Sequence, residues 1–248
     1  MNTHKGYTLP FALQPLQKLT LYLGIDADAD FTLDKVYSDE DGAFKVMILD
    51  TTSTYQWFSD PIRRDNFFGS AQYPNELPQS IDLKRNTQLK IEIENLTNAA
   101  NDGEMVFEGY RITDSGFQPR KNKYYCYVKD FTVPASNNAK DSLRIDGDSD
   151  FLVNRFICWQ DLDYVLKAKI APSSLASMGL YTQYTLLENI FGSVLRPNNL
   201  RHPLLLGKNS TVAFDLSNVD AGDPTTVPPT LPADHNCQLV FDGVKIWS

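Results

Sequence analysis

The chain has 248 residues, 42% hydrophobic and 22% charged, with 23 basic against 31 acidic side chains and a formal net charge of -8. That balance excludes the general affinity for nucleic acid or anionic membrane that a basic face confers. Three cysteines, Cys126, Cys158 and Cys237, form no Cys-x-x-Cys pair, which excludes a zinc ribbon or dithiol redox motif.

Met1 to Gln17 lacks a charged segment followed by an apolar one, and the longest apolar runs fall far short of a membrane span. The expected compartment is a reducing cytoplasm, with Cys158 and Cys237 as small core residues. Tyr7 to Leu13 reads as a strand that Pro10 confines to an edge or entry position. Leu19, Leu21 and Leu23 alternate with Thr20 and Tyr22, the period of a strand with one buried face. Phe31, Leu33 and Val36, then Phe44, Val46 and Ile48, flank the turn Asp39-Glu40-Asp41-Gly42, so the two runs are predicted to form a hairpin.

Asp50 to Pro78 is aromatic, rich in Pro, Asn, Ser and Gly, and aperiodic. Long excursions of this kind in small β domains commonly make contacts with other molecules. Leu89, Ile91 and Ile93 restore the alternation, and Met105 to Ile112 forms a closing strand. Thr113 to Lys123 is the expected linker. Strands are then predicted at Tyr124 to Val133, before Leu143 and Ile145, at Phe151 to Trp159, over Tyr164, Leu166, Ala168 and Ile170, at Val212 to Leu216, and at Leu239 to Trp247. Ser173 is placed to cap a helix over Leu175 to Ile190, but Gly179 and the Tyr and Thr residues limit it to a short one. Asp220 to Pro232 is a Pro-, Thr- and Gly-rich surface loop.

The sequence also repeats itself. Ile25-Asp26-Ala27-Asp28-Ala29-Asp30-Phe31 returns as Ile145-Asp146-Gly147-Asp148-Ser149-Asp150-Phe151, and Asn66-Phe67-Phe68-Gly69-Ser70 as Asn189-Ile190-Phe191-Gly192-Ser193. Pro74-Asn75, Leu77, Asn86 and Asn95 then match Pro197-Asn198, Leu200, Asn209 and Asn218 without a gap. Each half closes alike, on Phe107-Glu108-Gly109-Tyr110-Arg111-Ile112 and Phe241-Asp242-Gly243-Val244-Lys245-Ile246. The expected fold is therefore all-β: two tandem antiparallel β-sandwich domains, jelly-roll-like, from an internal duplication. The first unit is placed at residues 1–112, the linker at 113–123 and the second unit at 124–248.

Asp26, Asp28 and Asp30, with Asp146, Asp148 and Asp150, are the candidate metal ligands, since alternate carboxylates can offer oxygens to calcium. An EF-hand is excluded, because Phe31 and Phe151 hold its glycine position and Tyr37 and Ile157 its terminal glutamate position. A structural turn is the preferred reading, with calcium left open. Asn86 and Asn209 read as turn residues in the left-handed region, and Gly109 and Gly243 as marks of a bulge or close backbone approach. The sequons at Asn95 and Asn209 are taken as incidental. His4, His202 and His235 do not recur between the halves, which excludes a twice-built histidine site. No phosphate loop or nucleophile elbow is present. The expectation is a non-enzymatic protein with no catalytic residue and no cofactor.

The second half of each unit resembles structural proteins of bacterial virus particles. The likeness rests on Phe68-Gly69-Ser70 with Pro74 and Leu77-Pro78, Arg85-Asn86-Thr87 before an alternating strand, and Phe107 to Ile112, with Phe191-Gly192-Ser193, Pro197, Pro203, Lys208-Asn209-Ser210 and Phe241 to Ile246 as second copies. Gly207-Lys208 in place of Lys84-Arg85, and Val244 in place of Tyr110, depart from it. The resemblance implies a β-sandwich virion component, capsid or capsid-attached, or part of a neck, tail or fibre. It would be assembled in the host cytoplasm, its partners being copies of itself and other virion proteins, without nucleic acid or a membrane span. The alternative is a tandem glycan-binding or adhesin module, with Tyr55, Trp57, Phe58, Tyr73, Tyr181 and Tyr184 stacking on surface sugars; against it, Trp57 and Phe58 read first as cover for their own core.

Overall fold

The computed structural model describes residues 2–39, 43–113, 117–163, 165–173, 180–220 and 232–247. The first half runs β1 (Asn2–Leu13), β2 (Lys18–Gly24), β3 (Asp30–Ser38), β4 (Phe44–Asp50), β5 (Tyr55–Gln56), β6 (Ile62–Arg63), a four-residue helix α1 (Arg64–Phe67), β7 (Asn75–Leu83), β8 (Gln88–Asn95) and β9 (Asn101–Ile112). The second runs β10 (Lys123–Val133), β11 (Asn138–Arg144), β12 (Asp150–Gln160), β13 (Leu166–Pro172), β14 (Tyr181–Leu186), a second four-residue helix α2 (Leu187–Ile190), β15 (Asn198–Leu206), β16 (Thr211–Asn218) and β17 (His235–Ile246).

These strands form four antiparallel sheets, in the orders β1-β9-β3-β7, β2-β8-β4-β5 with β6 beside β4, β10-β17-β12-β15, and β11-β16-β13-β14. Both halves follow one strand order, with β14 standing where the first half has β5 and β6. In each half the alternating strands turn their apolar side inward. Phe31, Leu33, Phe44, Val46, Ile48, Ile91 and Phe107 fill the first core, and Phe151, Val153, Leu166, Ala168, Ile170, Phe214 and Phe241 the second.

The glycines of the closing strands sit where another backbone approaches closely. The register of β3 shifts between Leu33 and Lys35, and that of β12 between Val153 and Arg155. A Cβ on Gly109 would lie 1.9 Å from the Thr32 carbonyl oxygen, and one on Gly243 2.1 Å from that of Leu152. Only glycine leaves room for the bulge opposite.

Two expectations need correction, and a third, the short helix, is met over fewer residues. The runs on either side of Asp39 to Gly42 do not form a hairpin: β3 pairs with β7 and β9, whereas β4 pairs with β8, β5 and β6. The chain crosses from one sheet to the other there, and residues 40–42 lie outside the described residues. Alternation told which face of each run is buried, but not which neighbour it takes, and these two faces meet across the core. The aperiodic stretch 50–78 contains β5, β6, α1 and the start of β7, and no alternation announces the corresponding β15 either. Both β7 and β15 end their sheets, where a strand tolerates Pro78 or Pro203 and needs no clean alternation. The helix considered over Leu175 to Ile190 is confined to Leu187–Ile190 among the described residues, and Tyr181–Leu186 is strand. Ser173 Oγ accepts the Thr211 N–H at 2.8 Å instead. Residues 174–179, Tyr164 and most of the Asp220 to Pro232 loop (221–231) lie outside the described residues.

Candidate functional site

The acidic turns are clamps between strands. Asp30 Oδ1 accepts the Arg85 N–H at 2.8 Å, and its other oxygen meets the Arg85 guanidinium at 3.0 Å. Asn86 takes φ 61° and donates its N–H to Asp26 O at 3.3 Å, while the Ile25 N–H reaches Thr87 O at 2.8 Å. The second turn repeats the arrangement. Asp150 Oδ1 accepts the Lys208 N–H at 2.9 Å, Asn209 takes φ 60°, and its N–H reaches Asp146 O at 3.2 Å. Tyr7 and Tyr127 close both ends, their hydroxyl oxygens accepting the N–H groups of Asp26 and Asp146 at 3.3 and 2.9 Å.

Cations on the closing strands meet the remaining carboxylates. Arg111 bonds Asp28 and lies 4.0 Å from Asp26; Lys245 lies 2.7 Å from Asp146 and 3.2 Å from Asp148. The Arg111 hydrogen bond holds the Asp28 carboxyl below the usual carboxylate range. Burial pushes Asp30 up, but Arg85 outweighs it and leaves that carboxyl low as well. The first two aspartates of each turn thus share one cation and the third binds the neighbouring strand connection, and among the described residues no group of three or more His, Cys, Asp or Glu is arranged to hold a metal.

The other concentrated chemistry lies where the two halves meet. The outer face of β10, β17 and β12 is covered by the first half, so Tyr124, Cys126, Val128, Ile157 and Val240 belong to the same buried cluster as Trp57, Phe58 and Phe67. Phe58 forms a parallel bridge to Cys126. The Cys126 N–H donates to Trp57 O at 2.9 Å and the Ser59 N–H to Cys126 O at 3.0 Å. The Trp57 N–H also reaches Ile48 O at 3.1 Å, so Trp57 to Ser59 join the sheet of β4 to the sheet of β10 edge to edge.

Polar groups key the apolar contact. Asn66 Nδ2 donates to the backbone and side-chain oxygens of Gln238, each at 3.1 Å, and the Arg63 N–H donates to Gln238 Oε1 at 2.7 Å. The Arg63 guanidinium stacks 3.3 Å from the Trp159 ring centre. A charged pair is buried there too: the Arg155 side chain is 5% exposed and is paired with Asp242 at 1%. It donates further to Glu76 O at 2.9 Å and Asn75 Oδ1 at 3.0 Å, both across the junction. Burial pushes the Asp242 carboxyl up against the pull of Arg155, and it drives the neighbouring Tyr124 hydroxyl and Cys126 thiol far above their ordinary values. Such a thiol stays protonated and unreactive. A charged residue inside the apolar run Val153 to Ile157 is the signal by which the sequence could have disclosed this pair.

The aromatic set considered for sugar stacking is divided. Trp57 and Phe58 are buried in the junction, Tyr55 is partly buried against Tyr125 and Trp247, and Tyr73 stands apart at 66% exposure. Tyr184 accepts from Asn138 and carries Lys169 over its ring. Two cations of the 113–123 stretch are engaged, Arg120 with Asp82 and Ser80 O, and Lys123 over the Tyr55 ring.

The histidines are scattered over β1, β15 and β17. His235 was not singled out by its surroundings in sequence, yet it is held between two carboxylates, Asp161 at 3.0 Å on Nδ1 and Asp220 at 3.1 Å on Nε2. Burial pulls its pKa down, and the hydrogen bonds to Asp220 and Asp161 more than reverse that, leaving it raised. A histidine raised above its unfolded value of about 6.5 contributes stability that is complete below that pH and lost as pH rises through the folded value. His235→Gln is therefore expected to cost most on the acid side of pH 6.5. Urea midpoints across a pH series should show the gap to wild type closing on the alkaline side, and a pH-independent gap would contradict the assignment.

No known protein family and no curated protein matches the sequence. Among solved structures, AerE from Microcystis aeruginosa aligns with a TM-score of 0.22 and 8% identity over 96% of this chain and 87% of that one. A structure of Sulfolobus Turreted Icosahedral Virus aligns at 0.22 and 9%, over 97% and 93%. The infectious bursal disease virus VP2 subviral particle aligns at 0.27 and 11%, over 99% and 72%. These scores are too low to equate the folds.

Proposed function

We propose that the chain is a non-enzymatic structural component of a virus particle, made of two fused copies of one jelly-roll sandwich and assembling with further copies of itself. The strand orders support the jelly-roll reading. Counting β5 and β6 as one, each half has eight strands in the orders 1-8-3-6 and 2-7-4-5, an eight-stranded double-sheet wrap. Matched residues in matched places support duplication: Tyr7 and Tyr127, Asp30 and Asp150, Asn86 and Asn209, Gly109 and Gly243.

The observation that carries the assembly reading is the direction of the junction. Two corresponding sandwiches meet through unlike surfaces, the first giving Trp57 to Asn66 and β7, the second giving the outer face of β10, β17 and β12. A two-fold pair would use the same patch twice; unlike patches propagate into rings or filaments. The counterpart of the covered face, on β1, β9 and β3, meets no second sandwich within the chain and carries Tyr110 at 47% exposure, with Phe117 to Arg120 lying beside it. The bacteriophage assignment, and a place in or on the capsid, rest on the turn and strand motifs around Phe68, Asn86 and Phe107. Light scattering of the purified chain across concentration tests the reading. A mass rising above 28.0 kDa is expected, and a single chain at every concentration overturns it.

A further inference from the structure

Within the chain, the sheet ending in β5 is joined to the sheet ending in β10. The corresponding edges of the other two sheets, β14 and β1, are both terminal and unjoined among the described residues. We propose that β1 of one copy receives the β14 edge of a second copy, repeating between molecules the seam that Trp57 to Ser59 make within one. This rests on the self-assembly reading above and names its contact.

The correspondence is residue by residue. Tyr7 pairs with Phe107 and Tyr127 with Phe241 in the same register, and both tyrosines bind the acidic turns alike. Gly6 therefore stands where Cys126 stands, and Thr8 where Val128 stands. On the donor side, Ile48 pairs with Ile91 and Ile170 with Phe214, at matched places in their sheets. The Trp57 N–H bonds Ile48 O, and Tyr181 pairs with Ile170. Tyr181 to Gln183 thus hold in the second half the place that Trp57 to Ser59 hold in the first.

The backbone of β1 is oriented to accept a strand. In an antiparallel pair alternate residues turn their N–H and C=O away from the neighbour. Pro10, opposite Glu104, has no N–H to give β9, which places it among the outward residues. Thr8 and Gly6 share its phase and are exposed. The same phase in β10 is the one at which Cys126 gives its N–H and C=O to Trp57 and Ser59. A twelve-residue edge strand left open in this way is a template for pairing with another chain.

Thr8→Pro removes an outward N–H while leaving the β9 ladder intact, as Pro10 already does two residues on. Sedimentation velocity should show the concentration for half-assembly raised about tenfold or more, with the thermal midpoint unchanged. Assembly at the wild-type concentration overturns the seam while leaving self-assembly standing. A wild type that never assembles overturns the function proposed above and the seam with it. Hydrogen exchange on the unaltered chain gives a second reading if the variant is unstable: the Gly6 and Thr8 amides should become protected only at assembling concentrations. Unprotected amides in the assembled state overturn the seam.

Discussion

Asp242→Ala is expected to destabilise the chain by about 3–5 kcal/mol, because it strands the Arg155 guanidinium in the junction without its counter-charge. Arg155 would keep Glu76 O and Asn75 Oδ1, but neutral acceptors do not replace a carboxylate at a fully buried site. The corresponding pair in the first half is a built-in control. Lys35 and Glu108 occupy the matched register, yet their face is open, and Lys35 leans out to Glu76 at 3.4 Å with 38% and 77% of the two side chains exposed. Lys35→Ala should therefore cost no more than about 1 kcal/mol. Urea denaturation of the two variants compares the loss of one member of the matched pair, the acid in one half and the base in the other, in two surroundings. Equal losses would mean that coverage by the first sandwich is not what gives the Arg155–Asp242 pair its weight.

Trp57→Ala should cost a similar amount, about 3–5 kcal/mol, the range for emptying a fully buried large aromatic site. The indole is 1% exposed and packs on Phe67, itself in contact with Phe58, Phe68 and Tyr124. The backbone of the same residue holds the seam to β10, so hydrogen exchange should report the damage locally. The Cys126 amide, which donates to Trp57 O, is expected to lose protection before amides of the β13–β16 ladder in the second core. Uniform loss across both sandwiches would show that the indole supports the fold as a whole and not the seam.

The parts of this architecture that were legible in the sequence are those set by local period or local turn chemistry. Leu19, Leu21 and Leu23, and Ile91 and Ile93, announced their strands because one face of each is buried and the other wet. Asn86 and Asn209, and Gly109 and Gly243, announced backbone geometry that few other residues accept. Sheet membership was not legible: β3 and β4 each show a buried face, and nothing local says that the two faces pack across the core instead of lying side by side. The edge strands β7 and β15 were hidden because an edge relaxes alternation and admits proline. The acidic turns were recognisable as turns, but their cations were not. Arg111 and Lys245 lie about a hundred residues or less from the carboxylates they meet, and only the β3–β9 and β12–β17 registers bring them there. Trp57 and Phe58 do cover their own core, but the seam they make with β10 depends on a neighbour that no local pattern names.

The pairing of β1 with β9 and of β10 with β17 also imposes an order on synthesis. β1 waits for its neighbour until Ile112 has been made, so the first sandwich closes as a finished body before β10 follows. It then carries Trp57 and Phe58 without their cover, because β17, which lies inside the receiving sheet, is made after every other strand of that sheet. A chain cut short before His235 would leave that apolar arm bare, and such a fragment would aggregate in preference to accumulating as a soluble half.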